Sequence, residues 1–294
     1  MDIQSWWIAS RPKTLIVSIS PVLLGLALSF NNQVFSSIVV GILTLIAAIL
    51  IQLGTNFIND LYDFLSGADD QNRLGPIRAV QAGLLSQRQV RLGAFLCFGM
   101  ALLIGVYLVL IGGIPILLIG SFALISGYCY TAGPYPLGYH GLGDIFVFIF
   151  FGLIAVPGTY YLQSGVLFDI DSIIIGSSIG FISVAILCAN NIRDVQSDSK
   201  VGKKTLAVRF GIYPVIIMYD LMIIFAYLCI LVLLSRPAFY WDLDLCLLFL
   251  SIPIAIKLMI DIHIKHGEAL NTVLIGTSNF MRTFFLLLIL GILL

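Results

Sequence analysis

The stretch Gln52-Leu53-Gly54-Thr55-Asn56-Phe57-Ile58-Asn59-Asp60-Leu61-Tyr62-Asp63 closes an apolar run that begins near residue 36. Asn56, Asn59, Asp60 and Asp63 recur at i, i+3, i+4 and i+7, so they share one face of a helix. The run before them is long and apolar enough to cross a bilayer. Carboxylates at the edge of a bilayer are costly and point to function. A second stripe, Asn190, Asp194 and Asp198, ends another apolar run at i, i+4 and i+8. Two matched acidic helix ends predict a site for a divalent metal and a polyanion. The competing reading is that each Asp caps a helix or reaches to the interface. It fits a lone Asp better than two matched sets with amides on the same faces.

The rest of the chain agrees with a membrane setting. Of 294 residues, 60% are hydrophobic and only 10% are charged, against about 25% charged in soluble domains. Net charge is zero, so there is no basic footprint for nucleic acid. Cys97, Cys129, Cys188, Cys229 and Cys246 stand singly in apolar segments, which predicts packing roles and neither disulfide nor zinc site.

Nine apolar spans follow, at 14–30, 36–59, 92–111, 114–130, 143–162, 171–192, 212–234, 244–264 and 271–294. The expected fold is therefore all-α and integral to the membrane, one domain over residues 1–294. The first span lacks a small-residue cleavage site and reads as a membrane helix, not a signal peptide. The segments 64–91 and 193–211 are rich in Lys and Arg. They read as cytoplasmic cap loops on the same side as Arg11 and Lys13, with the C-terminus outside. Trp6 and Trp7 read as an interfacial anchor. Asp220, Lys257, Asp261 and Arg282 fall inside the last spans, and Lys257 with Asp261 has the spacing of a structural pair.

The chain also echoes itself. Asn56-x-x-x-Asp60 and Asn190-x-x-x-Asp194 are 134 positions apart, and Arg78-Ala79-Val80-x-x-Gly83 resembles Leu206-Ala207-Val208-x-x-Gly211 at an offset of 128. Two four-helix units in parallel orientation, plus a ninth helix, would bring both acidic ends to one face. Mg²⁺ prefers carboxylate oxygen together with substrate phosphate. Two facing stripes can hold two such ions around a diphosphate, with Arg73, Arg78, Lys203 and Lys204 on its remaining oxygens. Membrane helices around the site would keep water from a carbocation left by an allylic diphosphate.

Asn59-Asp60-Leu61-Tyr62-Asp63 and Asn191-Ile192-Arg193-Asp194-Val195-Gln196-Ser197-Asp198 resemble the two Asp-rich motifs of the UbiA-type intramembrane prenyltransferases. Within that family the likeness is strongest to members acting on 1,4-dihydroxy-2-naphthoate. It is carried by Arg11-Pro12-Lys13-Thr14-Leu15, by Arg73 to Gln81, by Gly133 to Gly143 and by Gly202 to Arg209. The resemblance implies nine helices around a central cavity open laterally to lipid, and two Mg²⁺ ions. It implies transfer from a polyprenyl diphosphate to an aromatic acid in a bacterial cell membrane, the inner one where there are two. Asn56, Asp60 and Asp63 would then serve the first metal cluster, and Asp194 and Asp198 the second. Where many relatives carry a further Asp this chain has Gly67. A left-handed cap there would let Asp69 or Asp70 fold back toward the metal.

The segment from Thr131 to Gly143 has four Gly, two Pro and no Lys or Arg, a turn composition. The missing basic pair favours a naphthoate acceptor over 4-hydroxybenzoate. Tyr139 and His140 are candidate contacts to it, with Arg11 for its carboxylate. His140 has an alternative as an interfacial residue bonded to a turn carbonyl. On this reading the reaction releases CO₂ and diphosphate and serves menaquinone synthesis. The rival from another class is an ion-coupled secondary transporter, which would place its acids near the midplane on broken helices.

Overall fold

The computed structural model describes residues 3–69, 74–239 and 243–294, and these contain helices and turns but no strand. In chain order the helices are α1 (Ile3–Ser10), α2 (Ile16–Asn31), α3 (Ile38–Leu65), α4 (Gln87–Cys129), α5 (Gly143–Ser164), α6 (Ile170–Arg193), α7 (Val195–Lys200), α8 (Leu206–Phe210), α9 (Ile212–Leu234), α10 (Leu245–Ile264) and α11 (Gly267–Leu293). Seven of these are long and apolar enough to cross a bilayer. The bent pair of α1 with its following turn and α2, at 57°, makes an eighth candidate.

The expected division of 92–130 into two spans meets one 43-residue helix, α4. A straight helix of that length would run about 65 Å, roughly twice the hydrocarbon thickness. It is not straight: Gly113 has φ 65° and ψ −151°, followed by Pro115. The Gly112 carbonyl accepts a hydrogen bond from the Tyr161 hydroxyl at 2.9 Å, which satisfies a group that the helical break loosens.

Local chemistry starts the main helices. The Ser37 hydroxyl accepts from Val40 N–H at the head of α3, and Asp169 accepts from Ser172 N–H at the head of α6. Ser86 and Gln89 form a reciprocal capping box on α4. At the end of the bundle away from the acidic stripes, the Gln163 carbonyl oxygen accepts from Ser36 and Ser37 N–H while its amide donates to Ser37 O.

Helix α6 is the centre of the fold and is buried along most of its length. Its Ile175, Ile179, Ile182, Ala185 and Ala189 pack with α2, α5, α9 and α11 in the main apolar cluster. Small residues allow the closest crossing. A Cβ on Gly176 would fall 2.1 Å from Gly152 O, so α5 and α6 touch backbone to backbone. A second cluster joins α1, α3 and the first cap through Phe57, Leu61, Ala79 and Val80. Trp6 belongs to it, edge-on to Phe57 at 5.5 Å, whereas Trp7 is exposed.

Charges in the later spans pair differently from expectation. Asp261 bonds Lys265 at 2.9 Å, four residues after it, in place of Lys257 four residues before it. Asp220 meets His263 at 2.8 Å. The first is an i,i+4 contact at the end of α10, and the second joins α9 to α10.

Candidate active site

Helix α3 runs past the expected limit of 59 to Leu65, so the whole first stripe lies on continuous helix. Gly67, with φ 78°, ends it in a left-handed cap whose following N–H groups, from Ala68 and Asp69, return to Asp63 O. This turn folds Asp69 back into the site, where it is buried and meets Arg78 Nε at 3.1 Å. Asp70 and Arg73 lie outside the described residues.

The first stripe divides its labour. Asp60 is 1% exposed, and its two oxygens accept from Ala79 N–H at 3.0 Å and Val80 N–H at 3.2 Å. It pins the cap to α3 and is not among the residues facing the cavity. Asn56, Asn59 and Asp63 do face it. Asn56 donates to Ser10 O at 2.9 Å, and Asn59 accepts from the Thr131 hydroxyl. Asp63 accepts from the Tyr139 hydroxyl at 3.0 Å.

The second stripe is not one continuous helix. Asp194 sits at the break between α6 and α7, with φ −92° and ψ 5°. Arg193 grips it with both Nε and Nη2, at 2.7 and 2.6 Å. The same guanidinium bonds Asn190 and Asn271, and Asn271 donates to Leu74 O in the first cap at 2.7 Å. Arg193 reads from sequence as a topology charge, but it is 3% exposed and organises the second set. Its position directly before Asp194 at a span end is the signal that was available.

Lys203 joins the two stripes. Its ammonium lies 3.3 Å from Asp198 and 3.9 Å from Asp63, with the Tyr139 ring 5.3 Å away. The two carboxylates are therefore within about 7 Å of each other. Burial pushes the Asp198 carboxyl up to about 6, against the pull of Lys203. Burial alone would lower the Lys203 ammonium, but Asp63, Asp198 and Asp194 outweigh it and raise it. Burial, with Asp63 alongside, raises the Tyr139 phenol.

Two expected contacts do not reach the cavity. Lys204 is exposed, its backbone bonded to Tyr139 O and Arg209. The His140 ring is stacked on Tyr135 at 3.7 Å and bonded to Pro136 O at 2.8 Å, which holds it in its own turn. That turn lies tightly on the second cap: a Cβ on Gly141 (φ 70°) would fall 2.7 Å from Lys204 O. Arg11 does face the cavity. Its backbone is left-handed (φ 50°), and its buried Nε and Nη2 have no hydrogen-bond partner. This is the pair of nitrogens with which Arg193 holds Asp194.

The cavity encloses about 1060 Å³. Its polar end is the two stripes and the caps, and the rest of its wall is largely apolar. Leu102, Val106, Leu110 and Leu117 of α4 line it and are themselves exposed, so the cavity is open along this apolar stretch. Among the described residues no three Asp, Glu, His or Cys side chains converge into a complete metal cage. A hard-oxygen set of Asp and Asn, with Asp198 Oδ2 buried and unpartnered, suits Mg²⁺, which keeps waters and takes phosphate oxygens from its substrate.

A helical membrane bundle with paired acidic helix ends over an apolar cavity is the architecture of intramembrane prenyl transfer, and the chain belongs to the UbiA prenyltransferase family, whose profile matches residues 18–292. Among curated proteins it is 38% identical over 249 residues to the 1,4-dihydroxy-2-naphthoate octaprenyltransferase of Haemophilus influenzae, covering 81% of this chain and 80% of that one. It is 32% identical over 251 residues to the enzyme of the same name from Bacillus subtilis, covering 85% and 79%. Among solved structures, a UbiA homolog from Archaeoglobus fulgidus bound to DMAPP and Mg²⁺ superposes with a TM-score of 0.62 at 16% identity, over 97% of this chain and 99% of that one.

Proposed function

We propose that this protein transfers a polyprenyl group from polyprenyl diphosphate to 1,4-dihydroxy-2-naphthoate, with loss of diphosphate and CO₂, in menaquinone synthesis. The observation that carries this reading is the meeting of Asp63 and Asp198, from two separate helix ends, on the one buried ammonium of Lys203. The likeness to the naphthoate enzymes, which extends over most of the chain, supports the acceptor.

In this reading Asn56, Asp63, Asp194 and Asp198 would hold Mg²⁺, with Asp69 close by. The ion supplies charge neutralisation of the diphosphate leaving group. Arg78 and Lys203 exchange their carboxylate partners for phosphate oxygens, a charge-assisted contact that fixes the donor head. Asp60 acts through the cap, holding the backbone next to Arg78. The side-on fork of Arg11 takes the acceptor carboxylate, and the Tyr139 hydroxyl orients Asp63. The apolar wall excludes water from the carbocation. The ring carbon bearing the carboxylate attacks, and loss of CO₂ restores aromaticity.

The same reading sets the membrane arrangement. The break at Gly113 makes α4 two spans, so nine helices form two four-helix repeats and one addition. Supporting this, Ala79 and Ala207 are both fully buried, and Gly83 and Gly211 both have positive φ. The basic caps and the N-terminus face the cytoplasm, as two structural parts of a single membrane domain. The deciding experiment incubates the purified protein with Mg²⁺, a prenyl diphosphate and a panel of aromatic acids, and identifies products by mass. A prenylated naphthalenediol lacking the carboxylate supports the reading. Preferential prenylation of 4-hydroxybenzoate overturns the acceptor, and no prenyl transfer to any acid overturns the activity.

A further inference from the structure

The cavity wall carries a carboxylate that neither acidic stripe accounts for. Asp144 stands in the first turn of α5, faces the cavity and is 4% exposed. Its Oδ1 is buried without a hydrogen-bond partner. An unsatisfied buried acceptor is costly to fold around. Its turn is tightly held: a Cβ on the adjacent Gly143 would lie 2.8 Å from the Tyr130 hydroxyl and 3.5 Å from Leu187 of α6, and both of those residues also line the cavity.

The reaction needs a proton acceptor facing the cavity. For the carboxylate-bearing carbon to attack, the neighbouring ring hydroxyl must become a carbonyl. Histidine does not supply the base, since His140 is held in its own turn and among the described residues no histidine lines the cavity. The stripe carboxylates Asp63, Asp194 and Asp198 each face a cation, and Asp60 faces backbone N–H groups.

Resting on the activity proposed above, we infer that Asp144 is the general base that takes the proton of the acceptor hydroxyl beside the carboxylate-bearing carbon. As that O–H bond breaks, the oxygen electron pair forms the carbonyl, and the ring π electrons form the new bond to the prenyl carbon, whose C–O bond breaks with its electron pair leaving on diphosphate. The product of this step is a β-keto acid. Its carbon–carboxylate bond then breaks, CO₂ leaves, and the electron pair restores the ring. The enolate oxygen takes the proton back from Asp144, so acid and base are regenerated and no further reactant is needed.

The test uses the full-length wild type and Asp144→Asn in lipid nanodiscs, with Mg²⁺, one prenyl diphosphate and two acceptors. One is 1,4-dihydroxy-2-naphthoate and the other a ring-halogenated analogue with a more acidic hydroxyl. General-base loss typically lowers turnover by about 10²–10⁴-fold. The expected result is a loss in that range with the donor KM unchanged, and a wild-type to variant ratio at least several-fold smaller on the acidified acceptor. Asp144→Glu, which keeps the base, should recover part of the rate and guards against a variant that fails to fold. Turnover of Asp144→Asn within threefold of wild type overturns the inference, as does an equal loss on both acceptors. A wild type that ignores naphthoates but prenylates another hydroxylated aromatic acid fails the acceptor reading alone, and the same ratio is then read on that acid and its halogenated form.

Discussion

Lys203 and Asp198 form an ion pair, Nζ to Oδ1 at 3.3 Å, that the same ammonium extends to Asp63 across the site. In the resting protein this lysine is the counter-charge that lets two buried carboxylates stand near each other. Removing one partner of such a set leaves charge uncompensated.

Lys203→Ala is therefore expected to raise the donor KM by an order of magnitude or more, since a charge-assisted phosphate contact contributes about 1.5–3 kcal/mol. The acceptor KM should move by less than threefold. Initial rates over a two-substrate grid decide it. A rise confined to the acceptor KM would place Lys203 with the other substrate.

Asp198 is expected to set the acid limb of activity. Burial holds its carboxyl at about 6, above the usual value, so it protonates as pH falls through that value and then cannot bind a cation. The Mg²⁺ needed for half-maximal rate should climb by up to about tenfold per pH unit below 6. Because the folded state binds this proton more tightly than the unfolded chain, acid does not destabilise the fold through Asp198. Mg²⁺ titrations at pH 5 to 8, with melting curves alongside, test both halves. EDTA should abolish turnover and Mg²⁺ restore it.

Asp60→Asn and Asp63→Asn should fail in different ways. Asn at 60 offers one acceptor to two N–H groups, so the first cap should loosen by about 1–3 kcal/mol. Proteolysis near Arg78 should quicken while Mg²⁺ affinity changes little. Asn at 63 should leave the cap intact and raise the Mg²⁺ requirement at least tenfold. Limited proteolysis combined with metal titration separates them, and identical behaviour would contradict the division of roles.

Arg193→Lys tests the brace behind the second stripe. Lysine keeps the charge but cannot fork onto Asp194 while bonding Asn190 and Asn271. Loss of a partner that orients a metal ligand usually costs 10–100-fold in affinity or activity. The expected result is a loss in that range with normal membrane insertion. Wild-type turnover in Arg193→Lys would show that the fork is dispensable.

Much of this was legible in the chain because hydropathy, charge and periodicity are local signals. The acidic stripes, the basic caps and the left-handed Gly67 turn all follow from residue order. What was not legible depends on contacts distant in sequence. Asn56, Asn59, Asp60 and Asp63 share one helical stripe, and only the docking of residues 79 and 80 turns Asp60 from the cavity toward backbone. Lys203 and Lys204 are adjacent and equal in charge, yet the chain path after Gly202 sends one to the acids and the other to solvent. His140 carries the right chemistry for an acceptor contact, and its stacking on Tyr135 removes it. Asp144 escaped notice because a lone acid at a helix start ordinarily reads as a cap.

The exposed wall at Leu102, Val106, Leu110 and Leu117 changes the variable that governs the rate. A chain of isoprene units longer than the cavity can trail through that opening while its head is held among the caps. Donor and product are then expected to exchange with the bilayer and not with the aqueous phase. The relevant concentration becomes a mole fraction in the membrane. Diluting the enzyme with inert lipid at constant bulk donor should slow it, although nothing in the surrounding water has changed.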